Sequence, residues 1–218
     1  MEEQIKSLFC SLGADICGIA RANDFGSAPK GFQPVDLWAE CKSVVVLAKA
    51  LPKGAMKSTD IRLYNFSNEM TSPIVDRISF EGARMLEDTF GCIALPIPCD
   101  QAAAWDKDTQ KAQGFISMRH AAELAGLGRI GRNSLVLNEK YGNRLVFGAV
   151  LTHLELTPDQ PADSICLPNC DLCLKSCPTG ALKGGHTDQA CCRPHTYTGG
   201  HGARCNLCRG VCPVGLGQ

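Results

Sequence analysis

Two stretches near the C-terminus decide how this chain is read: CLPNCDLCLKSCP at residues 166–178 and CNLCRGVCP at residues 205–213. Each contains C-x2-C-x3-C-P. Of the 14 cysteines, nine lie from Cys166 onward: Cys166, Cys170, Cys173, Cys177, Cys191, Cys192, Cys205, Cys208 and Cys212. A C-x2-C pair lets one tight turn present two sulfurs to neighbouring metal corners. Proline after the last cysteine removes a backbone donor and turns that cysteine away from helical geometry.

The spacing is the closing part of the bacterial ferredoxin run C-x2-C-x2-C-x3-C-P, whose fourth cysteine ligates the other cluster of a pair. Crossed ligation therefore predicts one cubane on Cys166, Cys170, Cys173 and Cys212. The second takes Cys205, Cys208, Cys177 and either Cys191 or Cys192. Eight thiolates for two [4Fe–4S] clusters imply electrons handled one at a time.

Two competing readings explain less. Zinc on Cys170, Cys173, Cys205 and Cys208 satisfies the paired C-x2-C knuckles but leaves Cys166, Cys177, Cys212 and both prolines unexplained. A disulfide framework needs an oxidising compartment, and MEEQIKSLFCSLG offers no charged leader with an apolar core and cleavage site. The expectation is a cytoplasmic protein with reduced thiols.

Lys plus Arg and Asp plus Glu both number 22, so the balance carries no polyanion-binding signature and points away from nucleic acid. Two oxidised cubanes with their thiolates would bring the holo chain to roughly −4. The cysteine-rich tail holds Lys175, Lys183, Arg193, Arg204 and Arg209 against Asp171 and Asp188, a local excess that offsets cluster charge. No apolar run is long enough to span a membrane. Oligomeric state stays open.

With 218 residues there is room for one ordinary domain and a small appendage. The break is expected at TPDQPADS, residues 157–164, which separates residues 1–160 from residues 161–218. Periodicity predicts helices over residues 2–12, 73–90 and 119–125. Strands are expected over residues 15–20, 43–51, 92–98 and 144–156. This is an α+β domain. Cys10, Cys17, Cys41, Cys92 and Cys99 lack ligand spacing and read as small core residues, Cys99 in its proline-rich loop being the one to watch.

Gly126, Gly128 and Gly131 spell G-x-G-x-x-G within AGLGRIGRNSL. A dinucleotide fingerprint needs a strand before the glycines and a helix opening on them. Here a helix precedes, so the glycines are read as a helix stop and a loop of bare backbone against which something packs closely.

RHAAELAGLGRIGRNSL, YGNRLVFGAVLTHLEL and CLPNCDLCLKSCPTGAL, in that order, resemble the epoxyqueuosine reductase family, iron–sulfur proteins related to the catalytic core of reductive dehalogenases. LGADICGIA and SVVVLAKALP fit as well. The resemblance implies a nitroreductase-like α+β domain that holds a corrinoid, followed by a ferredoxin-like domain with two cubanes. In such proteins cob(II)alamin without a protein ligand is reduced through the clusters, and cob(I)alamin does the chemistry. It also implies that Gly126, Leu127, Gly128, Arg129, Ile130, Gly131, Arg132 and Asn133 line the corrinoid cavity, and that Cys192 rather than Cys191 completes the second cluster.

The chain departs from the family pattern where tRNA-epoxide reductases carry an acidic D-x-G-P-x-x-E run. The aspartate position falls on Ala112 and the glutamate position on Met118. Arg129 replaces tryptophan, and the sequence ends five residues after Pro213 without a helical-repeat extension. The expectation is an oxidoreductase whose acceptor is a small molecule or a partner's corrinoid rather than tRNA, fed by a ferredoxin- or flavodoxin-type donor. No catalytic residue is assigned. A relay module without organic cofactor, and FMN with Arg129 or Arg132 near its phosphate, are the alternatives.

Overall fold

In a computed structural model the chain is described over residues 1–99, 104–106, 108, 111–198 and 205–217. Its elements run α1 (Glu2–Ser11), β1 (Ile16–Arg21), a 3-10 turn (Ala22–Ser27), α2 (Pro34–Leu37), β2 (Ser43–Ala50), α3 (Lys53–Lys57) and α4 (Ile61–Phe90). Then come β3 (Ala94–Ile97), β4 (Ala104–Asp106), β5 (Lys111–Gln113), α5 (Met118–Leu124), β6 (Arg129–Ile130), β7 (Val136–Leu137) and β8 (Leu145–Thr152). The cysteine-rich tail contributes α6 (Leu172–Lys175), α7 (Gln189–Thr198) and α8 (Leu207–Gly210).

The organising feature is a four-stranded antiparallel sheet, β1-β2-β8-β3. SVVVLAKA in β2 is apolar at successive positions because both faces of the sheet are covered. Val45 and Leu47 join the core under α1 and α4, with Ile5, Phe9, Val75 and Ile78. Val44 and Val46 point the other way, into the core under α5 with Phe25, Ala121 and Leu151. A run buried on both sides hides the period-2 alternation that marks a half-exposed strand. Layering is thus helix, sheet, helix.

Helix α4 begins twelve residues before the predicted start at Pro73 and carries that proline inside it. Asp60 caps the N-terminus, its carboxylate accepting the Arg62 N–H at 2.9 Å. Tyr64, Asn65, Asn68 and Thr71 bury the first half, so tertiary packing overrides the helix-breaking tendency of proline. Thr71 and Ser72 return their hydroxyls to the carbonyls of Ser67 and Asn68 at 2.7 and 3.1 Å. Gly91, with φ 62°, ends the helix in the left-handed conformation.

The segment in which the domain break is expected, residues 157–164, is held at the sheet edge through Asp159. Asp159 exchanges backbone and side-chain hydrogen bonds with Ile19, both at 2.9 Å, and its carboxylate meets Lys6 Nζ at 2.9 Å. Among the described residues no helix is long and apolar enough to cross a membrane.

Candidate functional site

The two cysteine blocks fold alike. Asp171 and Asn206 precede single helical turns with nearly identical backbone angles, φ −125° and ψ 13° against φ −122° and ψ 9°. Each turn carries the second C-x2-C cysteine (Cys173, Cys208). Each is followed by the cysteine before proline, whose N–H returns to the turn: Cys177 to Leu174 at 3.3 Å and Cys212 to Arg209 at 3.4 Å. A repeated sequence has become a repeated conformation.

The last cysteine of each block faces the other block. Cys166, Cys170, Cys173 and Cys212 line one cavity with Pro213 and Leu167. Burial is the first cause that raises the Cys212 thiol, and the charges of Cys173, Cys166 and Cys170 add to it. Cys208 is pushed up to about 11, mainly by burial, while Cys205, Cys192 and Cys177 act on it and Arg209 opposes them. Cys170/Cys173 and Cys205/Cys208 therefore sit in separate groups, unlike the arrangement a single four-thiol zinc site requires. Among the described residues no three His, Cys, Asp or Glu side chains converge as ligands of one ion. A cubane differs from a single ion here, because its thiolates attach at four corners around a volume.

Adjacent cysteines 191 and 192 are distinguished by their surroundings. Cys191 is exposed, and its Sγ lies 3.4 Å from the Asp188 carboxylate, which holds the thiol above its ordinary range. Cys192 turns inward with Cys205 and Cys208. For Cys177 burial works upward, but hydrogen bonds from Thr179, Ala181 and Leu182 outweigh it and favour the thiolate. Arg204 and His201 lie outside the described residues.

Cys192, Cys205 and Cys208 open onto a cleft of about 390 Å³ between the tail and the sheet, a volume in the usual range for ligand sites. Its apolar wall is Leu135, Val136, Leu145, Val146 and Phe147; Tyr64, Asn68 and Cys99 border it from the α4 side. No Asp or Glu is among its described lining residues, whereas Arg119, Arg193 and Arg209 are. Burial draws the Arg119 guanidinium below arginine's usual range, and the charge of Arg193 adds to this. Three buried polar atoms on this lining have no partner among the described residues: Asn68 Nδ2, Ser134 Oγ and Asn143 Oδ1. Ser134 also holds φ 60°, a left-handed conformation that costs a non-glycine residue energy. Unmatched polar atoms beside an apolar wall fit a guest that brings its own donors and acceptors.

Of the eight residues expected to line a corrinoid cavity, Asn133 alone is on this lining, and the loop's contribution continues through Ser134 to Val136. Gly126 and Leu127 border a shallow depression with Lys6, Cys10 and Cys17 on another surface. Gly126 (φ 70°) and Gly128 (φ 151°) are required by close packing: a Cβ on them would lie 2.4 Å from the Gln160 carbonyl and 2.3 Å from that of Leu137. Helix α5 precedes them and β6 follows, the reverse of a dinucleotide fold. Arg129 pairs with Glu123 at 3.3 Å. Arg132 leaves the cleft for the four-cysteine cavity, donating to the Cys170 carbonyl at 2.7 Å. Ser134, Asn143 and Arg119 escaped the sequence reading, since an unpartnered hydroxyl or amide becomes visible only once the chain has folded around it.

No protein-family model matches the chain. An epoxyqueuosine reductase of Staphylococcus aureus is 36% identical over 118 residues, 48% of this chain and 31% of that protein. The chain is a homologue of the epoxyqueuosine reductases. The match spans about a third of the length of these curated relatives. An epoxyqueuosine reductase structure from Streptococcus thermophilus superposes with a TM-score of 0.72 at 19% identity, covering 100% of this chain and 67% of that one. A reductive dehalogenase whose structure suggests a mechanism for B12-dependent dehalogenation gives 0.73 at 21%, covering 94% of this chain and 30% of that one. Epoxyqueuosine reductases and reductive dehalogenases thus share this mixed α/β fold.

Proposed function

We propose that the chain is an iron–sulfur reductase that passes single electrons through two [4Fe–4S] clusters to a corrinoid held in the cleft, on a nitroreductase-like lobe. Cys166, Cys170, Cys173 and Cys212 would hold one cluster, and Cys177, Cys192, Cys205 and Cys208 the other. The observation that carries the reading is the double lining of the cleft. Cys192, Cys205 and Cys208 form one side and the apolar wall of Val146 and Phe147 another, so an electron leaving the second cluster enters the ligand cavity directly.

The residues fit such a guest. Asn68, Ser134 and Asn143 offer unmatched polar atoms to the amides that fringe a corrin ring, while Leu135, Leu145 and Phe147 exclude water from its face. Arg209 is the cation acting on Cys208 and offsets cluster charge there. A bound corrinoid supplies a cobalt centre that accepts electrons at low potential. The homology to epoxyqueuosine reductases and the fold shared with a dehalogenase of B12-dependent mechanism support the same assignment.

The acceptor is, on this reading, a small molecule or a partner's corrinoid rather than tRNA. Met118 lies on the cleft lining where the family pattern puts a glutamate, and Ala112 holds the aspartate position. Neither side chain can deliver a proton, a contribution commonly worth about 10² to 10⁴ in rate. Electrons would come from a ferredoxin- or flavodoxin-type protein. Electron paramagnetic resonance of protein mixed anaerobically with cob(II)alamin tests the assignment. A base-off signal at about one per chain is expected, and a spectrum identical to free cofactor would refute it.

A further inference from the structure

Helix α4 has two different faces. Its inner side buries Val75, Ile78 and Leu86 and brings Tyr64 and Asn68 to the cleft. Its outer side carries Leu63, Phe66, Met70, Pro73, Arg77, Phe80 and Arg84, all of them exposed. The steps between these residues alternate three and four without a break. That is the spacing of a coiled-coil seam, kept up for about 32 Å along the helix. Leu63, Phe66, Met70 and Phe80 leave 56%, 62%, 54% and 58% of their surface in water. One apolar stripe seats a helix on its own core; a second stripe on the opposite side calls for a second partner.

We propose that a second copy of this chain covers the outer face, α4 packing antiparallel against α4 about a twofold axis near position 75. The area suits that occupant. The four apolar side chains expose roughly 400 Å², against about 500 Å² of apolar surface on each side of a standard homodimer interface. The hydrocarbon stems of Arg77 and Arg84 supply the difference. Charge sets the orientation. In a parallel pair Arg77 and Arg84 would each face their own copy and repel. Antiparallel pairing brings Met70 opposite Phe80, and Phe66 opposite the Arg84 guanidinium of the other copy. Arg62 then falls opposite Asp88, so unlike charges meet at the ends of the seam. Within the chain Arg77 pairs with Glu81 at 3.0 Å and Arg62 with the capping Asp60, which holds both guanidinium groups at the rim. The inference concerns the outer side of α4 alone and does not depend on the clusters or the corrinoid.

Sedimentation equilibrium of the iron-loaded chain under anaerobic conditions tests this. Twice the mass of one chain is expected, with a dissociation constant in the micromolar range or tighter. Met70→Glu and Phe80→Glu each put a carboxylate into the apolar part of the seam and should weaken the dimer about a hundredfold or more. Both positions are exposed, so far-ultraviolet circular dichroism and iron per chain should stay at the parent values. Phe66→Glu should be milder, because its carboxylate would meet Arg84 of the other copy, and adding Arg84→Glu should then dissociate the pair. A parent that stays monomeric through the micromolar range would overturn the proposal, whether the face is left bare or taken by another protein. A dimer of parent strength in both Met70→Glu and Phe80→Glu would overturn it too, since the interface would lie elsewhere. Phe66→Glu as damaging as Met70→Glu would contradict the antiparallel pairing.

Discussion

Asn143 and Arg209 hold each other in both directions: Asn143 Nδ2 donates to the Arg209 carbonyl at 3.0 Å, and the Arg209 guanidinium donates to the Asn143 carbonyl. The Asn143 N–H adds a bond to Gly215 at 3.2 Å. The clasp joins the sheet lobe to the cysteine-rich tail beside the cleft, and Asn143 is 1% exposed. Asn143→Ala removes the donor to the part-buried Arg209 carbonyl, which costs about 1–3 kcal/mol. The expected outcome is faster loss of iron to a chelator; a release rate equal to the parent's would show that the clasp does not secure the tail.

Crossed ligation predicts which variants look alike. Cys212→Ser and Cys170→Ser should each remove the first cluster, although the residues lie in different blocks, and leave the same surviving resonance spectrum. Cys177→Ser should match Cys205→Ser instead. If Cys212→Ser pairs with Cys205→Ser, ligation follows the blocks and the crossed assignment is wrong.

Cys191 and Cys192 should differ sharply despite being neighbours. Exposed Cys191 turns to Asp188, whereas Cys192 sits on the cleft lining with Cys205 and Cys208. Cys191→Ser should keep the parent iron content. Cys192→Ser should lose the second cluster or much of it, read as iron and sulfide per chain.

The N-terminal clamp gives a pH signature. Glu2 accepts the Thr157 N–H at 3.0 Å, and that backbone bond holds its carboxyl at about 2, below the ordinary 4.5. A carboxyl lowered on folding stabilises the fold above its unfolded value and loses that contribution as pH falls through the folded one. In urea unfolding, the parent should exceed Glu2→Gln in stability at neutral pH, and the gap should narrow below about pH 4.5 and close near pH 2. A gap that persists at pH 2 would assign it to another cause.

The sequence made the two like-folded cysteine blocks and β2 legible because each rests on local rules: a repeated spacing in one case, a continuous apolar run in the other. It misplaced the start of α4, since Pro73 is a local stop signal and the burial of Tyr64 and Asn68 is a tertiary fact. Short elements such as α2, α3 and the β4–β5 hairpin are too brief for periodicity to register. The glycine stretch illustrates the limit at the site itself. Its need for bare backbone was readable, but the partner was not: Gly126 and Gly128 abut the Gln160 and Leu137 carbonyls, and the cleft begins at Asn133. Arg119 and Arg193, 74 positions apart in sequence, come to line one cleft only through the fold.

The most direct test is iron and cobalt per chain, determined on protein purified without oxygen, incubated with cobalamin and desalted. Two cubanes and one corrinoid predict about eight irons and one cobalt. Eight irons without cobalt would contradict the corrinoid reductase and leave a two-cluster electron relay.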